Sequence, residues 1–302
     1  MMKSSLRGNI LLLITAFIWG FAFVAQKSGT SIGAFTFNFS RNVVAGVFLL
    51  LVVLLIPKLF PKMNQEQNEN PKLLLQGGIA CGAVLFLSMS LQQIGLAYTT
   101  AGKSGFITAL YIIIVPLLGI FIGKRVSLRM WICVFMAAVG LYLLSINKDV
   151  GFKISKGDFF VLLCAFGFAL HILVIDYFSP KVNGIKMSCI QFFVAAILSG
   201  IVMLLFEKFQ WSDVKEVLFP IFFAGVMSSG FGFTFQIIAQ KDTHPTIASL
   251  IMSLESVFAV LGGALLLGER LTTRELIGCI IMFIAIILAQ IPEKKKREKR
   301  VV

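Results

Sequence analysis

The sequence predicts an all-α polytopic membrane protein of ten transmembrane helices in two inverted five-helix repeats, and three observations carry that expectation. Apolar residues make up 58% of the 302 residues and charged ones 14%, with a mean hydropathy of +0.93, far from the balance of a soluble domain. Continuously apolar runs of about 20 residues recur along the chain, each long enough at about 1.5 Å per residue to cross a hydrocarbon core about 30 Å thick. The chain also repeats itself. A shift of 145 residues lays GKRVSLR (123–129) on GERLTTR (268–274), Ser104 on Ser249 and Thr108 on Ser253, and a shift near 150 pairs Val44-Ala45 with Val194-Ala195.

Charge, proline and polar clusters divide the runs into spans at 9–27, 34–56, 73–96, 101–122, 128–146, 158–177, 187–206, 217–239, 246–267 and 274–291. They are helices, because a barrel strand would alternate and stop after about ten residues. Lys3 and Arg7 before the first run mimic a signal peptide, but this segment has a counterpart in mid-chain and is retained. With the N-terminus in the cytoplasm, that side collects 17 Lys and Arg against 9 on the other, which places both termini in the cytoplasm and the protein in the cytoplasmic membrane. The net charge of +13 then reflects basic loops and a basic tail facing an anionic leaflet, with no nucleic-acid partner. The expected units are a first repeat at 1–146, a connecting loop at 147–157, a second repeat at 158–291 and a tail at 292–302. Five spans per unit is an odd number, so the second copy runs upside down, an arrangement typical of secondary transporters.

Several polar residues fall inside these spans. Ser104, Thr108 and Tyr111 share one helical face by their spacing, as do Ser88 and Gln92, with Gln26, Arg41 and Gln93 at similar depth. They form either an outward polar vestibule or packing contacts between helices. Arg41 must find an anion, a carbonyl or water; it either binds a substrate carboxylate or is tied to a loop. The second half adds His171, Asp176, Gln191, Gln236 and Gln240. His171 either titrates or donates one structural hydrogen bond. Glu255 is the one charge in the window 246–267, where an ionised carboxylate needs water or a cation. It is a proton carrier, a ligand for a cationic group or a strut to another helix; its phase on a continuous helix differs from that of Ser249, Ser253 and Ser256. GIACG (78–82) and GIFIG (119–123) read as small-residue packing motifs, and Pro116 removes a backbone bond in the fourth span. Cys81, Cys133, Cys164, Cys189 and Cys279 lie within spans without metal-ligand spacing and read as apolar fillers.

IWG at 18–20, Arg41, AYTTAGKSGFITALYIIIVPLLG at 97–119 and SLESVFAVLGGALLLGERLTTRELIG at 253–278 resemble the EamA family of the drug/metabolite transporter superfamily, over nearly the whole chain. The resemblance implies ten helices in two inverted units and export or exchange of small metabolites such as amino acids. Where that family usually reads Glu-Pro, this chain has Glu255-Ser256, which implies a weaker kink there. Lys124-Arg125 likewise replaces the Glu-Arg pair common in the first copy of the loop motif.

A membrane enzyme would need a nucleophile with its base, a metal cluster or a nucleotide loop, and the sequence carries no HExxH, Walker A or GxSxG pattern. The expectation is a cofactor-free, metal-free transporter of a small molecule, embedded in the lipid bilayer as a monomer or homodimer. The candidate substrate-binding or coupling residues are Trp19, Arg41, Gln92, Ser104, Thr108, Tyr111, His171, Gln236, Ser253 and Glu255. Efflux of drugs or cationic compounds is the alternative within that class, and a membrane sensor or scaffold without net flux is the alternative outside it.

Overall fold

The structure is a computed structural model that describes residues 2–59, 70–145, 155–267 and 272–291. Among them there is no strand. Long helices α1 (Met2–Ser28), α2 (Ala34–Leu59) and α3 (Pro71–Ala97) are followed by a broken helix, α4 (Ala101–Thr108) and α5 (Tyr111–Phe121), and by α6 (Leu128–Ser145). The second half continues with α7 (Lys156–Phe178), α8 (Gly184–Phe206) and the short α9 (Trp211–Glu216). Then come α10 (Leu218–Phe222), a π-helical stretch (Phe223–Phe233), α11 (Thr234–Gln240), a second broken helix, α12 (Pro245–Met252) and α13 (Glu255–Leu267), and α14 (Thr273–Gln290). Eight of the resulting segments are long and apolar enough to cross a membrane; the apolar helices Leu128–Leu143 and Leu276–Ala289, within α6 and α14, are shorter. The loop motif at 268–271, the connecting residues 147–154 and the basic tail from 292 lie outside the described residues.

Helix packing is reciprocal under the repeat. α1 packs against the π-helical stretch, α11, α12 and α13, while α7 packs against α3, α4 and α5. α2 lies along α8, α3 lies along both α7 and α8, and α6 lies along α14. The first elements of each half thus find their partners in the other half.

Three expectations need correction. α7 begins at Lys156 inside the expected loop, because Ser155 and Asp158 form a capping box: the Asp158 amide donates to Ser155 Oγ (3.1 Å) and the Ser155 amide to Asp158 Oδ2 (2.7 Å). Ser-x-x-Asp before an apolar run carries that signal in sequence. GIFIG is no packing motif. Gly123 takes φ +79° with nothing within 4 Å of where a Cβ would be, and the Lys124 amide closes on the Gly119 carbonyl at 2.9 Å, so the segment ends a helix. GIACG does pack: a Cβ on Gly82 would stand 2.7 Å from the Gln191 carbonyl oxygen of α8. The third is the place of the kink expected at Glu255-Ser256: the ninth span is interrupted two residues earlier, at Ser253-Leu254, with Ser253 still in the right-handed helical region, as the fourth is at Ala109-Leu110 upstream of Pro116.

Close approach at Gly20 ties α1 to the second break. A Cβ there would lie 2.5 Å from Phe258 Cβ and 2.8 Å from the Glu255 carbonyl oxygen, so the backbones touch only because Gly20 has no side chain. We expect Gly20→Leu to force α1 and α13 apart and destabilise the protein by about 1–3 kcal/mol, measured by thermal unfolding in detergent. An unchanged midpoint would show that the contact does not hold the bundle.

Candidate functional site

The two helix breaks occur within one residue of matching positions, since the 145-residue shift carries Ala109-Leu110 onto Leu254-Glu255, one residue past Ser253-Leu254. Each is closed by tight i−3 backbone bonds, from the Leu110 amide to Ile107 O and from the Leu254 amide to Ile251 O, both 3.2 Å. α4 packs on α13 and α5 on α12, and the Ser256 hydroxyl donates to the Gly105 carbonyl at 3.1 Å, linking one broken helix to the other. Paired discontinuities of this kind in the two halves of a membrane protein expose helix ends and freed backbone groups only where they border a cavity.

A narrow cavity of about 30 Å³ lies beside the breaks. Its polar wall is Gln26, Arg41, Gln92, Thr108, Tyr111, Ser228, Gln236 and Glu255; its apolar wall is Trp19, Phe23, Phe168, Ile172 and Phe233. Arg41 is 2% exposed and Glu255 2%. The Arg41 Nη1 donates to Gln26 Oε1 at 2.7 Å. Gln26 is itself fixed, because its backbone carbonyl accepts from Gln93 Nε2 at 3.1 Å. Gln92 Nε2 donates to Thr108 Oγ1 at 3.1 Å. Glu255 opens α13, and the Tyr111 hydroxyl that opens α5 is its neighbour. Neither the Tyr111 hydroxyl nor Glu255 Oε1 has an aligned hydrogen-bond partner. No ion pair joins Arg41 to Glu255.

The aromatic wall is built around Phe233, whose ring stands 4.6 Å from Trp19, 6.3 Å from Phe168 and 5.8 Å from Phe192, centroid to centroid. Phe233 ends the π-helical stretch, whose carbonyls take partners from α1: Trp19 Nε1 donates to Ser228 O (3.2 Å) and Thr15 Oγ1 to Gly232 O (3.1 Å). π-helical turns are rare and cluster at functional sites; no spacing in the sequence announces this one.

Of the ten candidate residues, Trp19, Arg41, Gln92, Thr108, Tyr111, Gln236 and Glu255 line the cavity, and Ser104, His171 and Ser253 do not. Ser104, one turn before Thr108 on α4, is fully buried and does not reach the cavity. Ser253 donates to Leu250 O at 2.8 Å within its own helix. His171 shares a hydrogen bond with Gln191 Oε1 at 3.2 Å, and Ser188 Oγ, 2.7 Å from Thr234 Oγ1, continues that chain across α8 to α11. Glu255 and the serines face different neighbours, as their helical phase implies: Glu255 faces the cavity while Ser256 faces α4. Phe23, Phe168, Ile172, Ser228 and Phe233 were not singled out from sequence, because an apolar or aromatic residue in an apolar span carries no local mark.

Ion pairs close the bundle at each end. At the Ala97/Lys156 end Asp158 pairs with Lys103 (2.6 Å) and accepts from Thr99 Oγ1 (2.9 Å). There too Glu207 caps α2, accepting from the amides of Phe35 (3.0 Å) and Thr36 (2.7 Å) and the Thr36 hydroxyl (2.7 Å). At the other end Lys124 pairs with Asp176 at 2.5 Å. His244 lies just outside the spans, its Nδ1 accepting from the Thr246 amide at 3.3 Å. Burial, reinforced by Lys124 and opposed by Asp176, holds this imidazole below its ordinary pKa.

A polytopic helical bundle with paired helix breaks at a buried polar cavity defines the class, a membrane transporter scaffold. The chain belongs to the EamA-like transporter family, whose profile matches residues 6–146 and again 155–290. Two proteins of Archaeoglobus fulgidus, each named an uncharacterized transporter, are similar. One is 30% identical over 291 residues, covering 95% of this chain and 86% of its own length. The other is 26% identical over 295 residues, covering 94% and 98%. A crystal structure of a protein 16% identical in sequence superposes with a TM-score of 0.76, covering 94% of this chain and 96% of that one, which supports the fold alone.

Because the folded state favours neutral His244, its contribution is complete above about pH 6.5 and falls as the pH drops below that value. Thermal unfolding between pH 7 and 5 should show this loss, and His244→Asn, which keeps a capping acceptor, should flatten it. An equally steep profile in the variant would assign the pH dependence elsewhere.

Proposed function

We propose that the protein is a secondary transporter that exports or exchanges small zwitterionic metabolites, amino acids among them, by alternating access between two inverted five-helix halves. The observation that carries this reading is one cavity, at the level of both helix breaks, faced by a cation, Arg41, and a carboxylate, Glu255, that do not pair with each other. Opposite charges held apart in a low-dielectric site are costly unless a ligand of complementary charge completes them. A carboxylate at Arg41 and an ammonium at Glu255 would do so. The reciprocal packing of α1 and α7 and the twofold match to the family profile support the inverted halves. The excess of Lys and Arg on one side supports cytoplasmic termini and a cytoplasmic-membrane location. In this reading the shorter α6 and α14 cross the membrane as the fifth and tenth helices.

A second reading, efflux of apolar cations, is favoured by the aromatic wall of Trp19, Phe23, Phe168 and Phe233 beside Glu255, a setting that suits cation–π contact.

Counterflow in sealed proteoliposomes separates the readings. Uptake of labelled amino acids driven by the same solute trapped inside is expected, and Glu255→Gln should reduce it about tenfold or more, the worth of one charged contact. Unchanged flux and pH profile in that variant would remove Glu255 from substrate binding and coupling. Flux of quaternary amines alone would favour the second reading, and binding without flux would favour a sensor.

A further inference from the structure

Arg41 poses a charge problem that the cavity alone does not solve. A guanidinium buried in the membrane interior needs an anion or water. Glu255 lines the same cavity without pairing with it, and three further carboxylates are engaged elsewhere: Asp158 by Lys103, Thr99 and Ser155, Asp176 by Lys124, and Glu207 by the N-terminus of α2. Among the described residues no carboxylate pairs with Arg41. Its hydrogen bond goes to a neutral acceptor, Gln26, and its Nε has no partner.

Beside it on α2 stand Asn38 and Asn42. Both are 0% exposed, and in each the amide nitrogen and the amide oxygen lack a partner. At 3.6 residues per turn Asn38, Arg41, Asn42 and Ala45 fall within about 100° of the helix circumference. That arc faces the protein, since Ala45 is 0% exposed whereas Val47 and Leu51 on the opposite arc are 46% and 51% exposed. Leaving four amide atoms unpaired next to an unmatched cation would cost several kcal/mol if nothing bound there.

We propose that Arg41, Asn38 and Asn42 form a seat for a small anion, a carboxylate or a halide of comparable charge, with the guanidinium supplying charge and the two amides supplying further N–H donors. The amide oxygens accept from water that enters with the anion. Asn38 and Asn42 are thereby selectivity residues that favour solutes bearing a carboxylate over their amides or amines. The seat depends on the transport reading only for the source of the anion: the carboxylate of a transported zwitterion, or a resident chloride.

Full-length purified protein, with tryptophan fluorescence and thermal unfolding as readouts, tests this against chloride, acetate, L-leucine and L-leucinamide in a low-salt buffer free of added carboxylate and halide. A saturable response to chloride or acetate that weakens about tenfold or more in Asn38→Leu or Asn42→Leu supports the seat; that is the loss expected for one hydrogen bond to a charged group. If L-leucine displaces the anion and L-leucinamide does not, the seat belongs to the substrate. If neither displaces it, the anion is resident. Should the leucine variants not fold, Asn42→Asp supplies an internal carboxylate to Arg41 and should fold while losing the anion response. No response in the wild type to any anion or to L-leucine, or a wild-type response in Asn42→Asp, overturns the seat. An anion response without flux in proteoliposomes would overturn the transport reading and leave the seat standing; flux with no anion response would do the reverse.

Discussion

Everything in this bundle follows from one constraint: a backbone group released from its helix inside the membrane must find a partner within the protein. The helices depart from regular α-helix in three places, at the two breaks and along the π-helical stretch, and side chains of other helices bond to carbonyls beside the first break and along the π-helical stretch. Ser256 reaches the Gly105 carbonyl, Trp19 reaches that of Ser228, and Thr15 reaches that of Gly232. These bonds draw α1, α4, α13 and the π-helical stretch to one place, and the cavity lies beside them.

The same constraint explains where the charges sit. Ends of helices near the membrane surfaces can hold full ion pairs, and Lys103–Asp158 and Lys124–Asp176 are found there. Deeper in, a charge is tolerated only when it borders space that water or a solute can enter. Arg41 and Glu255 obey that rule, both lining one cavity. Neutral groups do the remaining work, as when Gln26 holds the guanidinium of Arg41 and is held in turn by Gln93.

How much of this was legible in the sequence depends on the scale of the signal. Apolar length and the repeat marked every long helix to within a few residues, because the bilayer imposes one thickness on them all. Single buried charges were equally legible, since Arg41 and Glu255 stand out against an apolar background. The breaks were not: Ala109-Leu110 and Ser253-Leu254 are ordinary helix-forming pairs, opened by contacts with other helices rather than by local preference. Phe168 and Phe233 were invisible for a different reason, as their role lies in which neighbours they meet.

Both end ion pairs join the same two parts of the chain. Asp158 and Asp176 sit near opposite ends of α7; Lys103 belongs to α4, and Lys124 follows α5. α7 is thus fastened at both ends to the broken helix of the other half, while α1 is embedded against the broken helix of the second. The family profile matches the chain twice, yet the opening helix of each half finds most of its partners in the other half, with a few such as the Gln93–Gln26 bond kept within its own. A half separated from the other would lose the partners that cover its opening helix and its broken helix, so the two halves hold their structure as one unit.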